Sequence, residues 1–120
     1  MEEGVGLECQ DVFEAAKSGR KFDSIVASEV LEHLEDPALA LNNLCDCMNP
    51  GGRILVNMPV NSPAPDHIYL VRHPDEVAEL VRDAGFVVDS KANFPMVGYD
   101  VESAIDKKVT INVSVIGVRN

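Results

Sequence analysis

In the stretch FDSIVASEVLEHLEDP, residues 22–37, the residues Glu29, Glu32 and His33 fall at i, i+3 and i+4. That is the spacing of one helical turn. Carboxylate oxygens with an imidazole can hold Mg²⁺, Mn²⁺ or Zn²⁺. Two other readings stay open, and the pattern favours the metal least. Glu32 and His33 can form a solvated turn while Glu29 faces a ligand. Alternatively, His33 can act as a general base, because imidazole titrates near neutral pH and can accept a proton from a hydroxyl. Further along, Asn61, Asp66, His67 and Tyr69 are polar groups that could position a small molecule. Each of them also fits a plain loop role. Asn57, inside an apolar run, suits either a rim hydrogen bond or burial against backbone.

Such side chains need elements to hold them. Phe22 to Ala27 is an apolar run broken only by Asp23 and Ser24, which suits a strand buried on both faces of a parallel sheet. Asp36 is a good N-cap and Pro37 a good first helical residue. Leu41, Leu44, Cys45 and Met48 then recur on one helical stripe. Asn49-Pro50-Gly51-Gly52 ends that helix. Ile54 to Met58 reads as a second buried strand, and Pro59 to Asp66 as a loop. HPDEVAELVRDAGF, residues 73–86, repeats the grammar. His73 caps, Pro74 starts the helix, Asp75 and Glu76 sit where the helix dipole favours anions, and Gly85 ends it.

Before these elements, Val5 to Cys9 reads as a strand, and a short helix follows with Asp11 as N-cap and Gly19 as stop. After them, Phe86 to Val88 starts a strand, and residues 94 to 108 read as a loop with at most a helical turn. Val109, Ile111, Val113 and Val115 alternate with polar residues, as in a half-buried antiparallel strand. The order is β-α-β-α-β-α-β, then a loop and a last strand, which argues for an α/β fold with three layers.

Composition narrows the function classes. The chain has 120 residues and 46% hydrophobic content, which fits a single domain over 1–120 with a real core. Twenty acidic residues against ten basic ones give a formal charge of -10. Such a chain repels phosphate backbones and anionic lipid, so no nucleic-acid or membrane partner is expected. Cys9, Cys45 and Cys47 form no disulfide framework and read as reduced structural thiols of a cytoplasmic protein. No stretch approaches the ~20 apolar residues of a membrane span, and the acidic MEEGVGLE is no signal peptide.

In open α/β sheets, ligands bind beyond the carboxyl ends of the strands. Asp11, Ser28-Glu29 and Pro59-Val60-Asn61 should therefore share one rim. Together FDSIVASEVLEHLEDP, NPGGRILVNMP and HPDEVAELVRDAGF resemble the C-terminal part of class I S-adenosylmethionine-dependent methyltransferases. The nearest flavour is the ubiquinone-biosynthesis O-methyltransferases. The resemblance implies a Rossmann-like sheet ordered 3-2-1-4-5-7-6 with strand 7 antiparallel. This chain would supply strands 3, 4, 5, 7 and 6. It implies S-adenosylmethionine as cofactor, with Asp11 and Val12 at the adenine and Ser28, Glu29 and Val30 beside the methionine part. Leu34 would pack against that rim. In relatives with an E-x-x-E-H turn, a divalent ion is held with a further histidine, a place His67 would take. His33 and His67 are the catalytic candidates.

The family's glycine-rich loop does not occur in these residues: Gly4-Val5-Gly6 precedes a strand and does not follow one. A truncated or half domain is the expectation. Its fourth family strand would then have an open edge, suited to a homodimer or a complementing N-terminal half. Two function classes follow. One is methyl transfer to a small-molecule acceptor, by O- or C-methylation. The other is a binding or scaffold module that keeps the fold without the chemistry.

Overall fold

The computed structural model describes residues 21–61 and 69–120. In chain order it contains β1 (Phe22–Ser28), a 3-10 turn (Leu31–His33), α1 (Pro37–Asp46), β2 (Met48–Val60) and α2 (Asp75–Asp83). β3 (Phe86–Pro95), α3 (Val101–Lys107) and β4 (Ile111–Arg119) complete it. The strand at Val5 to Cys9 and the helix beginning at Asp11 lie outside the described residues.

The four strands form one sheet in the order β1-β2-β4-β3. β1 and β2 are parallel, while β4 runs antiparallel to both β2 and β3. This is the 4-5-7-6 order implied by the resemblance, with the last strand inserted between its two predecessors.

α1 begins as its sequence dictates. The Asp36 side chain accepts from the Leu39 amide at 3.0 Å, and Pro37 occupies the first turn. α2 carries Asp75 and Glu76 in its first turn and Arg82 in its last. His73 caps it from outside, with Nδ1 accepting from the Asp75 amide at 3.1 Å. Ala40, Leu41 and Leu44 of α1 and Val77, Ala78 and Val81 of α2 are buried against one sheet face. That face supplies Ile25, Ile54, Val56, Met58, Ile111, Val113 and Val115. Each large aliphatic side chain so buried contributes about 1.5–3 kcal/mol. α2 comes close to the sheet because Gly117 of β4 has no side chain. A Cβ there would lie 2.8 Å from Val81 Cγ1 and 3.0 Å from Phe86 Cβ.

The structure corrects four expectations. β1 is not buried on both faces: Ile25 and Ala27 are buried, but Val26 is 42% exposed. Only one sheet face is packed by helices among the described residues. The second strand is not Ile54 to Met58 but Met48–Val60, so Met48 is buried from the strand and not from the helix. The extension arises because Phe22 pairs with Met48, its amide donating to the Cys47 carbonyl at 2.7 Å. The next pair is Ser24 with Arg53, so Asn49-Pro50-Gly51-Gly52 loops out within the strand. Gly51, at φ 81°, supplies the left-handed backbone this needs. Finally, residues 94 to 108 are not mainly a loop. They extend β3 to Pro95 and form α3, whose start is a reciprocal Asp100–Ser103 capping box.

Candidate functional site

The carboxyl ends of β1 and β2 lie side by side. Ser28 stands in register with Asn57, and Asn57 with Ser114. The three side chains are joined across three strands. Asn57 Nδ2 donates to Ser28 Oγ at 3.1 Å, and Ser114 Oγ donates to Asn57 Oδ1 at 2.5 Å. Asn57 therefore satisfies its amide at the rim through side chains, and this polar row fixes where the Ser28 hydroxyl stands. Ser114 was not among the sequence candidates. Its signal was its place on the polar side of an alternating strand, which names a face and not a partner.

Immediately beyond Ser28, Glu29 adopts left-handed backbone at φ 54°, and its amide donates to the Asn57 carbonyl at 3.0 Å. Asn61, immediately beyond β2, does the same at φ 58°. Lys108, just before β4, also has φ 58°. β4 is antiparallel and Ile111 pairs with Val60, so Lys108 belongs to the same end of the sheet. Every non-glycine residue with positive φ among the described residues thus sits on this rim. Left-handed backbone in an L-residue costs roughly 1–2 kcal/mol, and such strain concentrates at functional sites.

The turn after Glu29 is a 3-10 turn that excludes it. Glu29 is exposed, so Glu29, Glu32 and His33 do not share one helical face. Glu32 is 1% exposed and is the buried charged residue among the described ones. It is not on a solvated turn. Its carboxylate lies 3.9 Å from His33 Nε2, and His33 is partly exposed. The Glu32 carbonyl accepts from the Tyr69 amide at 3.0 Å, and Leu34 packs against the core. Among the described residues no three His, Cys, Asp or Glu side chains form a metal-holding group. Asp11, Val12, Asp66 and His67 lie outside the described residues. Val30 adjoins the turn, half-buried.

The chain leaves the rim at Asn61 and returns at Val71, whose carbonyl accepts from the Asn61 amide at 2.8 Å. There Asn61, Leu70, Val71, Arg72 and Lys108 line an open cleft of ≈ 200 Å³. Arg72 and Lys108 were not sequence candidates. They are far apart in the chain, and the pairing of β2 with β4 together with the Asn61–Val71 hydrogen bond brings them to one cleft.

Cys45 and Cys47 are free and buried. Burial pushes both thiols above their ordinary range, partly offset by Arg119 at Cys45 and by Lys21 at Cys47.

Residues 4–91 match a family model described as a methyltransferase domain. A ubiquinone biosynthesis O-methyltransferase of Coxiella burnetii (strain Dugway 5J108-111) is 27% identical over 77 residues, 64% of this chain and 32% of that protein. The chain therefore matches about a third of that relative's length. In solved structures, the 4+2 cyclase SpnF superposes with a TM-score of 0.64 at 14% identity, over 83% of this chain and 51% of its own. The N-methyltransferase NodS of Bradyrhizobium japonicum WM9, in complex with S-adenosyl-L-homocysteine, superposes with a TM-score of 0.58 at 16% identity. That match covers 84% of this chain and 48% of NodS. At these identities the structural likeness speaks for the fold.

Proposed function

This chain belongs to the methyltransferase-domain family, and on that premise we propose that it serves S-adenosylmethionine-dependent methyl transfer to a small-molecule acceptor, by O- or C-methylation. One observation carries the reading: the strained rim at the ends of β1 and β2, with Ser28, Glu29 and Asn61 at its turns.

The residues present fit the cofactor. S-adenosylmethionine bears a sulfonium and an ammonium group, and the rim presents the exposed Glu29 carboxylate. When bound, the cofactor supplies an already activated methyl group, so the protein contributes positioning and, for a hydroxyl acceptor, a base. Glu29 and the Ser28 hydroxyl hold the methionine part, with Val30 as wall. The Asn57 amide fixes Ser28. His33, 3.9 Å from the Glu32 carboxyl group, takes the acceptor's proton. Asp11 and Val12 complete the adenine end, and His67 is a second base candidate.

The reading extends to a partner. β1 is a sheet edge among the described residues. A second copy of the chain, or a segment carrying the glycine-rich loop, would pair there. A monomer by light scattering at high protein concentration, with no added segment needed for cofactor binding, would remove that part.

Isothermal titration with S-adenosylmethionine and S-adenosylhomocysteine tests the main proposal. Saturable heat and a raised melting temperature with both ligands are expected. Neither heat nor thermal shift with either ligand would favour the scaffold alternative.

A further inference from the structure

The cleft between the end of β2 and the start of β4 has an unusual chemistry for this chain. Acidic residues outnumber basic ones by twenty to ten, yet among the described residues no acidic one lines it. Its polar side chains are the Asn61 amide, the Arg72 guanidinium and the Lys108 ammonium, the last two donor-only. Asn61 Nδ2 is buried with no hydrogen-bond partner. Four other described basic side chains are engaged. Arg53 pairs with Asp89, Lys91 with Asp75, Lys21 with the Asp46 carbonyl, and Arg119 with the carbonyls of Cys45 and Met48. Arg72 and Lys108 have no such partner among the described residues.

The backbone points the same way. Lys108 is the left-handed C-cap of α3, at φ 58° and ψ 38°. Glycine is the unstrained choice there. The helix dipole accounts for a cation near a C-terminus, but not for a β-carbon in left-handed backbone. Asn61, also lining the cleft, shares the left-handed backbone. Two left-handed residues thus hold donors toward one concavity, and Leu70, 52% exposed, and Val71 add apolar wall. At ≈ 200 Å³, the space equals the liquid volume of roughly six or seven waters. That is room for an oxyanion and the first part of an apolar body.

We infer that Asn61, Arg72 and Lys108 form an oxyanion site that holds the carboxylate or phosphate of an amphiphilic small molecule. Guanidinium and ammonium together suit either anion. The cleft shares its rim with Glu29, so this anionic group belongs to the methyl acceptor, an assignment that rests on the proposed methyl transfer. The anion anchors the acceptor at the β2–β4 end, and the apolar body extends along the rim toward Ser28 and His33.

The test is a titration of the ¹⁵N-labelled full chain with sodium phosphate and with sodium benzoate. Sodium chloride at equal ionic strength is the reference, read at the Asn61 side-chain amide and the Lys108 backbone amide. Saturable shifts with one of the two oxyanions are expected, and which one saturates separates phosphate from carboxylate. In Arg72→Gln and Lys108→Gly the apparent affinity should fall at least fivefold. Lys108→Gly should not lower the melting temperature, because it relieves left-handed strain, and so the loss cannot be ascribed to unfolding. No saturable shift with either anion, shifts equal to those with chloride, or unchanged affinity in both variants would overturn the site. S-adenosylhomocysteine added to the same samples separates the two proposals. Cofactor shifts without oxyanion shifts reject the oxyanion site alone. Oxyanion shifts without cofactor shifts uphold the site and reject its assignment to a methyl acceptor.

Discussion

Glu29 and Asn61 hold the same left-handed backbone, φ 54° and 58°, one residue beyond the ends of two adjacent parallel strands. Asparagine tolerates this conformation; glutamate gains nothing from it locally. Glu29→Gly removes a steric cost of roughly 1–2 kcal/mol and adds an unfolded-chain entropy cost of about 0.5–1 kcal/mol. Stability should be unchanged or rise by up to about 1.5 kcal/mol, while S-adenosylhomocysteine binds about tenfold more weakly for want of a charged contact. Urea unfolding and calorimetry read the two effects. A destabilised variant with unchanged affinity would show that Glu29 is structural.

Asn57 joins Ser28 to Ser114 across the sheet. Asn57→Ala breaks both bonds and should cost about 1–2 kcal/mol at roughly 1 kcal/mol per bond. It should also weaken cofactor binding, because Ser28 loses its fixed orientation. Ser114→Ala keeps the Ser28 bond and should cost less in both measurements. Equal losses in the two variants would argue against Asn57 as the positioning residue.

Gly117 leaves no room for a side chain beneath α2. Gly117→Ala should force Val81 and Phe86 aside and cost about 1–3 kcal/mol. A further Val81→Ala substitution should recover part of that loss. Chemical denaturation of the single and double variants decides, and strict additivity would contradict the packing account.

The buried thiols of Cys45 and Cys47 are raised above the ordinary range. Below about pH 8.5 they are neutral in folded and unfolded chains alike and add no pH dependence. Above it the unfolded chain ionises first, so stability should fall as pH rises toward the folded values. The urea midpoint should show this decline between about pH 8 and 10, and a Cys45→Ala, Cys47→Ala double variant should show less of it. An identical decline would assign it to other groups.

Much of the fold was legible because its punctuation is local. Asp36-Pro37, His73 and Gly85 mark helix ends by their own chemistry, and the alternation from Val109 gives an antiparallel strand its face. What escaped depends on distant partners. Asn49-Pro50-Gly51-Gly52 reads as a helix stop, but the pairing of Phe22 with Met48 makes it a loop inside a strand. The apolar run of β1 reads as doubly buried, while Val26 is exposed because helices pack on one face only. At the site, the strand ends located Ser28, Glu29 and Asn61 correctly on one rim. The helical spacing of Glu29, Glu32 and His33 misled, because Glu29 turns left-handed before the helical turn begins. Arg72 and Lys108 carried no sequence signal, since their proximity exists only through the β2–β4 register and the Asn61–Val71 hydrogen bond.

β4 follows β2 and β3 in the chain, yet it lies between them in the sheet. Until residues 111–119 emerge, β2 shows an unpaired inner edge and β3 has no sheet to join. Between the emergence of β2 and that of β4 the nascent chain therefore carries exposed strand edges, the condition in which chains associate wrongly and chaperones intervene. A chain stopped at Lys108 should bind a hydrophobic dye and a holdase chaperone strongly, and the chain continued to Arg119 should release both. Weak binding by the stopped chain would mean that the earlier strands are already covered. The four described strands thus wait for their own centrepiece, and their sheet closes from the middle.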